Sequence, residues 1–329
     1  MTHPRAAVVM MCWLLAGCSG SQSVIQADGA PAMALRQLII GIVSVCSLVW
    51  MLVMIALIWA LMRRRGEPGS HDARQRRMAG SVIVAILATV VVIAGFTFAS
   101  FYTTRALQGG PADVTIAVRG QQWWWELSYV APDPSHSFKT ANEIRIPVGR
   151  NVKLELDSAD VVHSFWVPSL AGKLDLIPGR MNELTLRAER AGVYRGQCAE
   201  FCGTQHAHMA LFVIAMEPKD YDDWVDSQRR DAAAPSGGEA SAGEQLFLSM
   251  QCAACHTVRG TSAHGGTGPD LTHIASRQTI AAGLLETTRG SVAAWIADPQ
   301  TLKPGNNMPM VPLDGNELRQ LSAYMMSLK

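Results

Sequence analysis

The chain is poor in charge. Only 17% of its 329 residues are Asp, Glu, Lys or Arg, and 28 basic residues against 27 acidic ones leave a formal net charge of +1. Gripping a polyphosphate takes a positive field, so this balance disfavours nucleic-acid binding. Cysteine is scarce too. Seven in the whole chain, an odd number, are too few for a disulfide-dense miniprotein and do not make a simple paired framework. The charge deficit is unevenly spread. Between Arg36 and Arg63 lie 26 consecutive residues without Asp, Glu, Lys, Arg or His, and between Arg77 and Arg105 lie 27 more. At a rise of about 1.5 Å per residue each run crosses a hydrocarbon core of about 30 Å, which predicts two transmembrane helices. Neither run carries an ionisable side chain that could form a proton relay or a ligand set, and Cys46 reads as a small packing residue. The segment between them holds Arg63, Arg64, Arg65, Arg74, Arg76 and Arg77 against Glu67 and Asp72. The positive-inside rule places that segment in the cytoplasm and both flanking parts outside.

The amino-terminal residues agree with this topology. After Arg5 comes an apolar run from Ala6 to Leu15, too short to span a bilayer and suited to the core of a signal peptide. The ending Leu15-Ala16-Gly17-Cys18 resembles a bacterial lipoprotein signal. That resemblance implies removal of residues 1–17 and lipidation of Cys18; an ordinary secretory signal is the alternative. Residues 18–34 then form an exported segment and residues 35–104 a transmembrane hairpin in a bacterial cytoplasmic (inner) membrane.

From Val114 the pattern becomes alternating. Val152, Leu154 and Leu156 alternate with Lys153 and Glu155, Leu184 and Leu186 flank Thr185, and short runs recur at Glu143 to Val148 and Leu211 to Met216. Gly149, Pro178-Gly179 and Gly192 punctuate them, which predicts an antiparallel β-sandwich or barrel over residues 112–220. An acidic helical stretch, Asp220 to Arg230, follows. Residues 231–242, DAAAPSGGEASA, have the composition of a flexible linker, so 221–242 reads as helix and linker. Ser241 with Glu244, and Asp314 with Glu317, have capping-box spacing, and residues 243–329 are expected to form a small α-helical domain.

Two clusters carry chemistry. In Cys198-Ala-Glu-Phe-Cys202-Gly-Thr-Gln-His206-Ala-His-Met209, two thiols, an imidazole and a thioether fall within twelve residues, with His163 at the end of an upstream strand. This soft set suits copper. A mononuclear electron-transfer site uses one Cys, so the second is surplus, and two bridging thiolates would hold two ions sharing an unpaired electron. A Cys198–Cys202 disulfide is the competing reading for an exported pair, but it leaves His163, His206 and Met209 unexplained. His208 reads as a neighbour. Farther on, Cys252-Ala-Ala-Cys255-His256 is the attachment pattern of c-type haem, two thioethers and a proximal imidazole, with Met308 or Met310 available as the distal ligand. A thiol-redox pair would call for a βαβ pattern that is lacking here.

The sequence resembles cytochrome c oxidase subunit II over about residues 35–220. The pattern Cys-x-Glu-x-Cys-Gly-x-x-His-x-x-Met stands at Cys198, Glu200, Cys202, Gly203, His206 and Met209, beside Asp160-Val-Val-His163-Ser-Phe, Gly120-Gln-Gln-Trp-Trp-Trp125 and Asp175-Leu-Ile-Pro-Gly-Arg180. The resemblance implies a cupredoxin-like domain with a dinuclear copper A centre. Cys198 and Cys202 would bridge, His163 and His206 would be terminal ligands, and Met209 and the Glu200 carbonyl weak axial ligands. The Glu200 carboxylate would face magnesium at the boundary with subunit I, and Trp123 would receive electrons near the copper. Trp123 and Trp125 are expected on one strand face and Trp124 on the other. The family's acidic residue at the start of the second span is absent here, so its proton role does not transfer.

Residues 243–329 resemble class I cytochrome c, with Gly268-Pro269-Asp-Leu271 after the haem motif and Met308-Pro309 before the last helix. Family position favours Met308 as the ligand. Trp295 and Tyr324 are expected to pack the haem pocket, and His264 and His273 to sit in exposed or loop positions. Together the resemblances imply subunit II of a haem-copper oxidase with a fused cytochrome c. It would take electrons from an external cytochrome c or a cytochrome bc complex and hand them to subunit I, beside subunit III. Oxygen reduction belongs to the complex, because the spans contain no histidine. The other function class considered is a membrane-anchored copper carrier or assembly factor with a haem electron-transfer domain. A quinol-oxidase subunit II is weakened by the copper ligands present.

Overall fold

The computed structural model describes residue 20 and residues 22–63, 71–107 and 110–329. The expected signal peptide and Cys18 lie outside the described residues. The chain divides into two units: Met33–Gln108 forms one, and Met1–Ala32 with Gly109–Lys329 the other.

Two long helices, α1 (Ala30–Met62) and α2 (His71–Ala106), contain the expected spans. Trp50, Ile55 and Leu61 on α1, and Val84, Val91 and Phe98 on α2, are exposed. Helices apolar all round and unburied fit a bilayer as their solvent. The hydroxyls of Ser81, Thr89, Thr97 and Thr104 each donate to the carbonyl four residues back at 2.9 Å, which satisfies them without water.

The β domain is a pair of five-stranded sheets. One holds β1 (Val114–Gln121), β2 (Trp124–Val130), β3 (Phe138–Ala141), β5 (Val152–Ser158) and β8 (Asn182–Leu186), ordered β3-β2-β1-β5-β8. The other holds β4 (Glu143–Pro147), β6 (His163–Trp166), β7 (Leu174–Leu176), β9 (Gly192–Cys198) and β10 (Ala210–Met216), ordered β4-β10-β9-β6-β7. The sheets are mixed, not purely antiparallel as expected: β1 runs parallel to β5 and β4 parallel to β10. Alternation fixes which face is inward, not the direction of a neighbour. On β5, Val152, Leu154 and Leu156 are fully buried, while Lys153 pairs with Glu155 at 2.7 Å and Glu183 at 3.5 Å outside. Leu154→Ala should cost about 2–5 kcal/mol by opening a cavity in this core, checked by chemical unfolding of the full chain in detergent.

The segment before α1 is fastened to this domain. The Asp28 and Gly29 amides donate to the Ser169 carbonyl, Gly29 bridges to Ala188, and Asp28 pairs with Arg190. After β10, Pro218 opens α3 (Pro218–Arg229), whose Trp224 lies in the β-domain core.

The carboxy-terminal region contains α4 (Gly238–Ser249), α5 (Cys252–Cys255), α6 (Arg289–Ala297), α7 (Pro299–Leu302) and α8 (Gly315–Ser327), with two short two-stranded ladders. The capping box at Asp314 and Glu317 forms, with both reciprocal hydrogen bonds. Ser241 does not cap a helix. The preceding helix starts earlier, after Gly237 at φ +94°, so Ser241 is already inside it and residues 238–242 of the expected linker are helical. The Ala232 amide also donates to the Arg259 carbonyl at 3.0 Å.

This helical region packs on the β domain. Glu143 and Arg145 of β4 pair at 2.9 Å; the Glu143 carboxylate accepts from the Gln278 amide at 2.8 Å, and the Arg145 guanidinium donates to the Ser276 carbonyl at 3.0 Å. The Ala210 amide donates to the Ala282 carbonyl at 3.0 Å.

Candidate metal centre and haem site

Strand pairing assembles the first cluster. β6 and β9 are neighbours with Phe165 opposite Cys198, which brings His163 and Cys198 together across 35 residues. The loop from β9 to β10 supplies Cys202, His206 and Met209. Cys198 and Cys202 are free thiols with sulfurs 3.7 Å apart, not a disulfide. His163 Nδ1 lies 3.9 Å from the Cys198 sulfur, and His206 Nδ1 3.6 Å and Met209 Sδ 3.8 Å from the Cys202 sulfur. The Glu200 carbonyl is 3.2 Å from the Cys198 sulfur. His163, Cys198 and Cys202 are all buried. This donor set, two thiols flanked by two Nδ1 atoms and a thioether, fits a soft metal held by shared sulfurs.

The electrostatics favour thiolate. The hydrogen bond from Cys202 pulls Cys198 down to about 3, helped by His163 and opposed by burial, and the same interaction pushes Cys202 up. Burial would lower the His163 pKa, but Cys198 and Asp160 outweigh it and raise it. Asp160 Oδ1 sits 2.8 Å from His163 Nε2, which orients the ring and leaves Nδ1 toward the sulfurs. Burial would raise Asp160, yet the Gln122 amide, the His163 ring and the Val161 amide together lower it.

Gly203, at φ +112°, turns the loop under Trp123, and a Cβ there would lie 3.0 Å from the indole. The Trp123 indole N–H donates to the Cys202 carbonyl at 2.9 Å, as does the Gln122 amide nitrogen at 2.8 Å. The tryptophan run does not lie on one strand as expected. Trp123 is in the turn between β1 and β2, and only Trp124 and Trp125 belong to β2. Trp125 is core, edge-on to Phe165 and 6.2 Å from the His163 ring. The Glu200 carboxylate lies 3.7 Å from Lys173, which also reaches Asp175 at 3.6 Å. His208 Nδ1 is 2.8 Å from Gln205 Oε1, away from the sulfurs.

The second cluster lines a cavity of about 660 Å³, within the range of cofactor sites. Its wall includes Cys252, Cys255, His256, Leu271, Trp295 and Met308, and also Trp123 and Trp124 of the β domain. His256 Nδ1 lies 2.8 Å from the Pro269 carbonyl, which leaves Nε2 free for a metal. Burial lowers the His256 pKa, so the ring stays neutral as a ligand requires. A Cβ on Gly268 would sit 2.6 Å from the imidazole, so any larger residue there would push the ring out of place. Paired thiols, an oriented imidazole, a thioether and an apolar cavity fit a covalently held haem. Met310 is 58% exposed, off the cavity wall.

One expectation needs correction. Tyr324 does not line the cavity; it is fully buried on α8 against Phe247 of α4, because the ring fills the helix–helix seam. His273 lies in a turn as expected, though buried, with its ring nitrogens 2.8 Å and 3.0 Å from the Lys329 and Arg230 carbonyls. His264 is exposed on a short strand. Sequence reasoning missed Lys303, which is 2% exposed and donates from Nζ to the carbonyls of Trp123, His208 and Ala281 at 2.8, 2.8 and 3.0 Å. Burial pulls its pKa down to about 7, opposed by Cys202. Its three partners only accept, which favours the ammonium form. No sequence signal marked it, since a lone lysine in a loop reads as solvated.

A β-sandwich with a buried pair of free cysteines, joined to a helical domain with a haem-attachment motif, defines a membrane-linked electron-transfer protein. The family model for the cytochrome c oxidase subunit II periplasmic domain matches residues 130–216, and the cytochrome c model matches residues 240–329. Cytochrome c oxidase subunit 2 of Alkalihalophilus pseudofirmus is 35% identical over 327 residues, covering 96% of this chain and 94% of the relative. That of Bacillus subtilis is 30% identical, covering 75% and 73%. A crystal structure of the periplasmic domain of subunit II of cytochrome oxidase from Bradyrhizobium japonicum is 33% identical, covers 36% of this chain and 96% of that one, and superposes with a TM-score of 0.34. The chain belongs to the cytochrome c oxidase subunit II family, in a form that carries a carboxy-terminal cytochrome c domain.

Proposed function

We propose that this chain receives electrons from an external cytochrome c or cytochrome bc complex and delivers them to subunit I of a haem-copper oxidase, alongside subunit III. When bound, haem c and a dinuclear copper A centre supply the one-electron chemistry. Cys252 and Cys255 would tether the haem, with His256 and Met308 as its axial ligands. Cys198 and Cys202 would bridge the coppers, His163 and His206 would cap them, and Met209 and the Glu200 carbonyl would complete the set. The Glu200 carboxylate, beside Lys173, is a candidate for magnesium at the subunit I boundary. Cys18 is a candidate for lipidation in the inner membrane, with both redox domains on the periplasmic side.

The carrying observation is the cavity whose wall joins Met308 and His256 to Trp123, whose indole is bonded to the Cys202 carbonyl. Two loops built for two redox groups meet at one tryptophan. A copper carrier would need an exchangeable, reachable site, whereas these thiols are buried. Flash reduction of the haem in the purified full chain, followed at several protein concentrations, should give a copper reduction rate independent of concentration. A rate proportional to protein concentration would mean that electrons reach the copper from another molecule.

A further inference from the structure

The contact between the two redox domains is charged at its centre, which is unusual for a buried place. Lys303 follows α7 and lies five residues before Met308 on the same loop. Its three acceptors come from three separate segments: Trp123 in the β1–β2 turn, His208 in the loop bearing the candidate copper ligands, and Ala281 between the short strands of the haem domain. An ammonium has three donors, and here all three are used. The loop continues over the tryptophan, where a Cβ on Gly305 would lie 3.6 Å from the indole ring. Gln205 reinforces it by donating to the Pro304 carbonyl at 2.9 Å. Asn306 holds the loop's own shape by donating to the Pro299 and Lys303 carbonyls at 2.8 Å.

We infer that Lys303 is the positioning residue for transfer between the haem and copper domains, a three-way clasp that locks the Met308 loop onto Trp123 and the copper loop. The inference rests on the functional reading above. The seven non-helical residues 231–237 alone would have an r.m.s. reach of about 15 Å and would leave the haem domain to search for its partner. The clasp replaces that search with one geometry. It also keeps Trp123 under the chain's own haem domain, with 8% of its surface exposed, so an external donor meets the haem domain first. Removing one member of a buried hydrogen-bonded charge group leaves its partners unpaired, so the effect is concentrated in this residue.

The test uses the copper- and haem-loaded full chain in detergent. Lys303→Met keeps the length and apolar stem but removes all three donors. Haem-to-copper transfer after flash reduction should slow at least tenfold and become dependent on solvent viscosity, as a tethered search is, while wild type shows no such dependence. Copper and haem content and both visible spectra should stay as in wild type, which separates positioning from a damaged site. If Lys303→Met does not retain both groups, Lys303→Arg carries the same measurement, since a planar fork cannot reach three carbonyls converging on one point. Transfer at the wild-type rate with no viscosity dependence in the variant that retains both groups overturns the clasp. Wild type in which haem never reduces its own copper overturns the functional reading instead.

Discussion

The native chain is expected to hold two coppers per haem iron, and Cys202→Ser should leave one and abolish the signal of an electron shared between them. Cys202 is the hub of its side of the cluster, with the sulfurs of Cys198 and Met209 and the Nδ1 of His206 all within 3.8 Å of its own sulfur. A serine hydroxyl is a hard, protonated donor that cannot bridge soft ions as a thiolate does. The remaining Cys198, His163, His206 and Met209 resemble the donor list of a mononuclear site. Elemental analysis of copper against iron, with electron paramagnetic resonance, reads both effects, and the haem absorbance serves as an internal standard. A native chain with one copper per iron would defeat the dinuclear assignment.

Met308→Ala should remove a haem ligand and lower the haem potential by on the order of 0.1 V, a fraction of the ~0.8 V that axial ligands command. Met310→Ala should change it little. Of these two methionines Met308 alone lines the cavity, and its backbone is held there: its amide donates to Asn306 Oδ1 at 2.8 Å and its carbonyl accepts from Gln300 at 2.8 Å. Redox titration of the two variants decides. The opposite ranking would make Met310 the ligand, and equal shifts would place the ligand elsewhere.

The candidate ligands were legible because chemistry forces them close in sequence: four of the copper set fall on one loop, and the haem motif is five residues long. The direction of strand pairing was not legible, because β1 and β5 alternate identically whether parallel or antiparallel. The tryptophan run was misplaced for a local reason. The turn at Gln122 and Trp123 contains no Gly, Pro, Asn or Asp, the residues whose backbone preferences announce a turn. Tyr324 and Trp295 looked alike as aromatics near a haem, and only the packing of α8 on α4 separates them. The domain contact was invisible because Lys303, Gln205, Glu143 and Arg145 come from distant segments, each an ordinary polar residue in its own neighbourhood.

The loop from β9 to β10 is occupied on one flank. Its His208 carbonyl, Gln205 side chain and Ala210 amide are all engaged by the haem domain. Its opposite flank presents Phe201, 76% exposed, with its ring 5.8 Å from that of His206. In the folded chain the haem domain therefore closes one approach to this loop, and a metal donor would be expected to reach it from the exposed Phe201 instead.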